Sequence, residues 1–121
     1  EGLSVHRRNM LHPEEAPIQS YVEECLVGSK GPVIAATDYM KSYADQVREF
    51  IPRTYTVLGT DGFGRSDTRA RLRNFFEVDR YYIAVAALSS LVLDNVIEAS
   101  QVEKAMTKYS IDPDKSDPAT L

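Results

Sequence analysis

Hydrophobic positions in the middle of the chain follow two different patterns, which together predict a strand, a helix and a second strand. Val33–Ala36 is an uninterrupted apolar run, and Tyr55–Leu58 is a second short strand-forming run; both are typical of strands covered on two faces. Between them, apolar residues spaced three and four apart predict an amphipathic helix, capped by Thr37 or Asp38 and stopped by Pro52. Its apolar positions are Met40, Tyr43, Ala44, Val47, Phe50 and Ile51, of which Met40, Tyr43, Val47 and Phe50 form the proposed buried stripe. Strands joined in this way pair in parallel through a right-handed crossover.

Helices are predicted before this unit. Residues 4–12 form a short polar helix that ends before Pro13, and Ile18–Val27 form another that is closed by Gly28.

Helices are also predicted after the second strand. Asp79 is expected to cap the segment YYIAVAALSSLVL, which is apolar nearly all round and is therefore expected to be buried. Ser100 and Glu103 match a capping box that opens a last helix with the apolar stripe Val102, Ala105, Met106 and Tyr109. The tail from Asp112 to Leu121 is expected to be irregular.

These elements predict one α/β domain over residues 1–121. Its parts are the N-terminal helices (1–31), the strand-helix-strand unit (32–59), a glycine loop with helices (60–110) and the tail (111–121). Two strands cannot form a doubly covered sheet by themselves. We therefore expect a mostly parallel, three-layer fold truncated on its N-terminal side, with a further strand upstream of Glu1; completion of the sheet by another chain is the alternative.

The stretch VLGTDGFGRSDTR at 57–69 is typical of a functional loop, because an apolar strand leads into three glycines and then into a helix start. Ser66 or Asp67 is expected to cap that helix. The G-x-x-G-x-G spacing differs from the dinucleotide-binding fingerprint, and no lysine follows the last glycine as in a P-loop. The candidate interdomain or partner loop comprises Gly59, Asp61, Gly62, Gly64, Arg65, Ser66 and Asp67.

Catalytic chemistry is not evident in the sequence. His6 and His12 have no Cys or acidic neighbours at metal-site spacing and are expected at exposed positions or helix ends. No elbow motif holds Ser66 as a nucleophile. Arg65, Arg69 and Arg73 are spaced four apart along one predicted helix face. That face is either paired with the acids Asp67, Glu77 and Asp79 or available to an anion or a partner.

Composition narrows the possible functions. The net charge of −4 disfavours nucleic acid as a partner, and no apolar run is long enough to cross a bilayer. The single cysteine, Cys25, excludes an internal disulfide, fits a cytoplasmic location and is expected to be half-buried.

Two long motifs carry a family resemblance: TDYMK at 37–41 and LGTDGFGRSD at 58–67. With the segments around them, they closely resemble the C-terminal domain of homodimeric-type pyruvate dehydrogenases, over nearly the whole chain. The Phe-Gly-x-Ser turn at 63–66 is more distantly similar to transketolases. The sequence departs from the family pattern at His6 and Arg8, where an acid and a tryptophan are expected.

The resemblance implies a transketolase C-terminal-like fold and a non-catalytic part of an enzyme. In this family, thiamine diphosphate and Mg²⁺ are held by the two preceding domains of a homodimer, so no catalytic, cofactor-binding or metal-binding residue is expected in this chain. The parent enzyme would decarboxylate pyruvate and reductively acetylate the lipoyl group of a dihydrolipoyl acyltransferase. The alternative interpretation is an autonomous α/β domain that binds an anion or a nucleotide at the Gly59–Asp67 loop.

Overall fold

The computed structural model describes residues 1–62 and 66–120. The helices are α1 (Gly2–Leu11), α2 (Tyr21–Leu26), α3 (Lys41–Asp45), α4 (Arg69–Phe75), α5 (Arg80–Leu93) and α6 (Ala99–Lys108). The strands are β1 (Val33–Ala36) and β2 (Tyr55–Leu58), and short 3₁₀ turns occupy Arg48–Phe50 and Pro118–Thr120.

The sheet of the described residues consists of β1 and β2, which pair in parallel with Val33 opposite Tyr55 and Ala36 opposite Leu58. The Val33 amide donates to the Thr54 carbonyl at 2.8 Å, and the Thr37 amide donates to the Leu58 carbonyl at 3.0 Å. Both predicted strands and their parallel pairing are confirmed. Their expected burial on two faces is wrong for this domain, because only Tyr55 is buried and the other strand residues are half-buried or exposed. The predicted strand upstream of Glu1 stays a prediction.

The crossover helix is shorter than its apolar spacing predicts. α3 ends at Asp45 and the chain continues into the 3₁₀ turn, so one regular stripe does not form. Phe50 is buried, but Met40 and Tyr43 are 46% and 57% exposed, and their predicted burial is wrong. Neither Thr37 nor Asp38 caps the helix, because the helix starts only after Met40.

Helix α5 positions the rest of the domain against the sheet. It begins as predicted at Asp79, whose carboxylate accepts from the amides of Tyr81 at 3.1 Å and Tyr82 at 3.0 Å. It packs on both strands and against α6. Its apolar side chains are mostly half-buried rather than buried, and its one fully enclosed side chain is Ser90.

The remaining helix starts differ from prediction in detail. α2 begins after Ser20, which forms a capping box with Glu23. α6 begins after Glu98 without a side-chain cap, so the predicted box at Ser100 is wrong. The tail is also more ordered than predicted, because it contains a 3₁₀ turn with a buried Pro118.

The described residues bury few large side chains. The buried apolar residues are Val5, Phe50, Tyr55, Phe76 and Val78. Large apolar side chains are exposed around α1 and α2, at the start of α3 and at the end of α5. They include Leu3, Met10, Tyr21, Val27, Tyr39, Met40, Tyr43, Leu93 and Val96. Cys25 is exposed rather than half-buried, which corrects the expectation from its apolar surroundings.

Candidate functional site

Two loops meet at the carboxyl ends of the parallel strands, where ligands and partners bind in open α/β sheets. The loop after β1 carries Asp38 and Tyr39, and the loop after β2 carries Thr60 and Asp61. The Thr60 amide donates to the Tyr39 carbonyl and its hydroxyl donates to the Asp38 carbonyl, each at 2.9 Å. Asp61 accepts from the Lys41 amide at 3.1 Å. The Asp61 carboxylate therefore binds the first amide of α3, which the N-cap residue Met40 leaves without a side-chain partner.

At two positions of the predicted loop, Gly59 and Gly62, the backbone leaves no space for a side chain. A Cβ on buried Gly59 would lie 2.9 Å from both the Lys41 nitrogen and the Tyr39 oxygen, which are backbone atoms. Gly62 has a φ of +118°, and a Cβ there would lie 2.7 Å from the Pro118 carbonyl oxygen. Only glycine suits both positions without displacement of the backbone. Gly64 and Arg65 lie outside the described residues.

The start of α4 is capped one residue later than predicted. The Thr68 hydroxyl accepts from the Arg71 amide at 3.4 Å, so neither Ser66 nor Asp67 is the N-cap residue. Asp67 instead accepts from the Thr68 amide at 2.7 Å and lies 3.9 Å from the Arg71 guanidinium. Ser66 and Asp67 are both exposed.

An ion pair ties α4 to the end of β1. The Arg73 guanidinium donates to both Asp38 carboxylate oxygens, at 3.1 Å from Nε and 2.7 Å from Nη2. These hydrogen bonds, helped by the charges of Arg73 and Arg69, hold the pKa of Asp38 below its usual value against a weaker opposing effect of burial. The bidentate geometry fixes the direction of the Arg73 side chain.

Among the described residues, none of the three expected acids forms an ion pair with Arg69 or Arg73; Asp67 lies near Arg71 instead, which is outside the predicted face. Glu77 binds Lys115 at 3.2 Å, and Asp79 caps α5. Asp38 was expected only as a cap of the crossover helix, whereas it binds Arg73 at the carboxyl end of β1, the edge at which open α/β sheets bind their ligands.

The lowered pKa of Asp38 leads to a testable prediction. Because the folded-state pKa lies below the unfolded value, this pair stabilises the fold above pH about 3.9 and the contribution disappears as pH falls through the folded pKa. Since the Asp38 side chain is 60% exposed, the contribution is about 0.2–1 kcal/mol. In an NMR titration, Arg73→Gln should return the pKa of Asp38 toward its usual value. Arg7→Gln, on the exposed face of α1, should leave it unchanged.

Two open depressions flank the Asp38–Arg73 pair. One, of about 850 Å³, lies between the end of β1, α4 and the start of α5, and includes Arg71, Arg80 and Tyr81 in its lining. The other, of about 460 Å³, is lined by Thr60, Gly62, Asp67, Arg69, Leu72 and Phe76 as well as by the pair. The loop predicted from the glycines thus borders a concave surface that contains both signs of charge.

An aromatic pair lies beside the glycine turn. The rings of Tyr39 and Tyr43 are 5.0 Å apart between centroids, and the two residues are 58% and 57% exposed. The Lys41 backbone between them touches Gly59. Apolar surface therefore adjoins the charged groove at the same edge of the sheet.

The histidines are separate from this edge. His6 packs on the Phe50 ring at 4.7 Å, and His12 lies 3.4 Å from Glu15. Within residues 1–62 and 66–120, no group of three or more His, Cys, Asp or Glu side chains could hold a metal ion. In the same residues, no helix is both long enough and apolar enough to span a membrane.

This architecture defines the class of the protein as an α/β domain with a parallel strand-helix-strand unit and a glycine turn at its carboxyl edge. Residues 3–79 match the family model described as "Transketolase-like TK C-terminal domain". The chain belongs to that family.

Similar curated proteins carry the name "Pyruvate dehydrogenase E1 component". One from Pseudomonas aeruginosa is 59% identical over 119 residues, which are 98% of this chain and 14% of the relative. One from Cupriavidus necator is 52% identical over 121 residues, 100% of this chain and 14% of the relative. One from Escherichia coli strain K12 is 47% identical over 119 residues, 98% of this chain and 13% of the relative. The chain thus spans only a small part of the length of the curated relatives it matches.

Proposed function

We propose that this domain is the C-terminal, non-catalytic part of a thiamine diphosphate-dependent pyruvate dehydrogenase. The support is the name shared by relatives that are 47–59% identical over 98–100% of this chain. The parent protein is then a cytoplasmic homodimer that decarboxylates pyruvate and passes the two-carbon unit to the lipoyl group of a dihydrolipoyl acyltransferase. Thiamine diphosphate supplies the carbanion chemistry and Mg²⁺ holds its diphosphate.

The cofactor and the metal belong, in this proposal, to the domains that precede this one. The described residues offer no group of side chains suited to Mg²⁺. The role proposed for this chain is assembly: it packs on the catalytic domains and contributes to the surfaces that the dimer partner and the acyltransferase meet.

The carboxyl edge of the sheet is the proposed interdomain surface, and its exposed Tyr39–Tyr43 pair is the observation that carries this assignment. Aromatic rings left more than half exposed beside charged groups are typical of surfaces that a partner covers. The exposed Ser66 and Asp67 supply hydrogen-bonding groups in the loop after β2, and Arg65 precedes them in the sequence. A carboxylate of a preceding domain is the proposed partner of Arg65.

The test uses Arg65→Ala in the full-length protein. We expect the variant to fold and to form a less stable dimer, because it loses a charge-assisted contact between domains. The dimer dissociation constant should rise about tenfold, equivalent to about 1.4 kcal/mol. Arg7→Ala, which removes the same charge from the exposed face of α1, is the control and should leave the dimer unchanged.

Steady-state kinetics with pyruvate separate assembly from catalysis. An Arg65→Ala dimer of normal stability whose turnover falls by several orders of magnitude would place the loop in the active site and refute the assembly role. Calorimetry with nucleotides and phosphorylated metabolites addresses the alternative, an anion site at Gly59–Asp67. Saturable binding to this loop would favour that alternative.

A further inference from the structure

The C-terminal segment, residues 112–120, is attached to the body of the domain at two points. The first is Lys115, whose side chain is 27% exposed. Its ammonium group donates to the Phe75 carbonyl at 2.7 Å, to the Glu77 carboxylate at 3.2 Å and to the Asn74 carbonyl at 3.5 Å. A lysine here binds the last carbonyls of α4, where the helix dipole favours a positive charge.

Aromatic rings surround the same ammonium group. It lies 5.5 Å from the Phe75 ring centroid and 5.6 Å from that of Tyr82. Cation–π contacts of this kind add to the hydrogen bonds of a partly desolvated lysine. Glu77 itself has a φ of +62°, so the Lys115 contact falls on the residue that turns the chain out of α4.

The second point of attachment is the 3₁₀ turn Pro118–Thr120. Asp117 holds this turn, because its carboxylate accepts from the Ala119 amide at 2.9 Å and its carbonyl accepts from the Thr120 hydroxyl at 2.9 Å. Pro118 is buried, and its carbonyl oxygen lies against Gly62 so closely that a Cβ there would come within 2.7 Å. The tail therefore touches the residue on which the glycine turn depends.

The two attachments lie on opposite sides of the candidate loop along the chain. Gly62 precedes Ser66 and Asp67, and residues 74–77 follow them at the far end of α4. We propose that residues 112–120 act as a clasp that holds both ends of this stretch and so positions the loop. Its importance for assembly rests on the interdomain role proposed above, whereas the clasp itself is a property of this domain.

The experiment measures hydrogen exchange in the full-length protein with Lys115→Met, which keeps most of the apolar stem and removes the ammonium group. The reporters are the Lys41 amide, bound by Asp61, and the Thr60 amide, bound by Tyr39. Both are expected to exchange about tenfold faster, because local opening of the loop becomes easier, while the sheet amides of Val33 and Thr37 stay unchanged. Lys104→Met, on the exposed face of α6, is the matched control and should alter neither pair.

Pro118→Gly tests the second attachment in the same way and should give the same pattern. Unchanged Lys41 and Thr60 exchange in both variants would overturn the clasp. Equal acceleration at the sheet amides would also overturn it, because the segment would then be a general stabiliser of the fold.

Hydrogen exchange tests the clasp, whereas dimer stability and turnover test the interdomain role, so the two proposals can fail separately. Faster loop exchange in Lys115→Met together with normal dimer stability and turnover would support the clasp and contradict the interdomain role. Faster exchange with a weakened dimer would support both.

Discussion

Gly59→Ala is expected to destabilise the domain by about 2–3 kcal/mol, because one methyl group would be forced into an occupied space. The new Cβ would lie 2.9 Å from the Lys41 nitrogen and from the Tyr39 oxygen. Backbone atoms at that distance must move, and they belong to the loop that Thr60 and Asp61 bind. The substitution should therefore pull apart the two strand ends that form the site.

Gly28→Ala is the matched control for this change. A Cβ at Gly28 would meet nothing within 4 Å, so the same methyl group has space there. We expect that variant to be neutral or slightly stabilised. The measurement is hydrogen exchange of the Val33 and Thr37 amides. The Val33 amide donates to the Thr54 carbonyl and the Thr37 amide donates to the Leu58 carbonyl, so both report on the pairing of the two strands. Equal protection of those amides in wild type and Gly59→Ala would contradict the close approach at Gly59.

Interactions between near neighbours in sequence were predictable. The two apolar strands, the Asp79 cap and the demanding glycine turn are present, although β1 is half-buried to exposed rather than buried. Each depends on a signal within a few residues: an apolar run, a capping acid before a helix, or glycines where the chain reverses. The family resemblance drawn from the two motifs is also confirmed.

Two of the errors share a physical cause, because a distant group takes over a task assigned to a local one. Asp61, twenty residues further on, binds the first amide of α3 in place of Thr37 or Asp38. Lys115 binds Glu77 across thirty-eight residues, although Glu77 was assigned to the arginines. Sequence spacing carries no information on such contacts, which form only when the strand ends and helix ends are brought together.

The apolar pattern of α3 illustrates a different limit. Spacing of three and four indicates which side chains share a face, but not what covers that face. Tyr43 and Met40 share the predicted face, yet both remain largely exposed in this domain, whereas Phe50 is buried. In the proposed function the preceding domains cover that surface, so its pattern would reflect the whole protein rather than this domain.

Ser90→Asp is the second substitution with a large expected effect. Ser90 is 2% exposed, its hydroxyl donates to the Ala86 carbonyl at 2.8 Å, and the Thr56 hydroxyl lies 3.2 Å away. Ser90 is the point where α5 meets the second strand, and the apolar pattern of α5 gives no sign of its burial. A carboxylate at this position would lose its hydration, and no cation is among the hydrogen-bond partners of Ser90 to compensate for that loss. We expect the free energy of unfolding to fall by about 3 kcal/mol or more.

Three variants at neighbouring positions separate burial from helix effects. Ser89→Asp places the same charge on the exposed side of α5 and should change stability by about 0.5 kcal/mol or less. Ser90→Ala removes only the hydroxyl and should cost about 1 kcal/mol, because Thr56 loses its partner. Exchange of the Val33 and Thr37 amides reports on all three. Equal losses for Ser89→Asp and Ser90→Asp would mean that α5 contacts the sheet through a different face, and Ser90 would then no longer be the contact that fixes the helix on the strands.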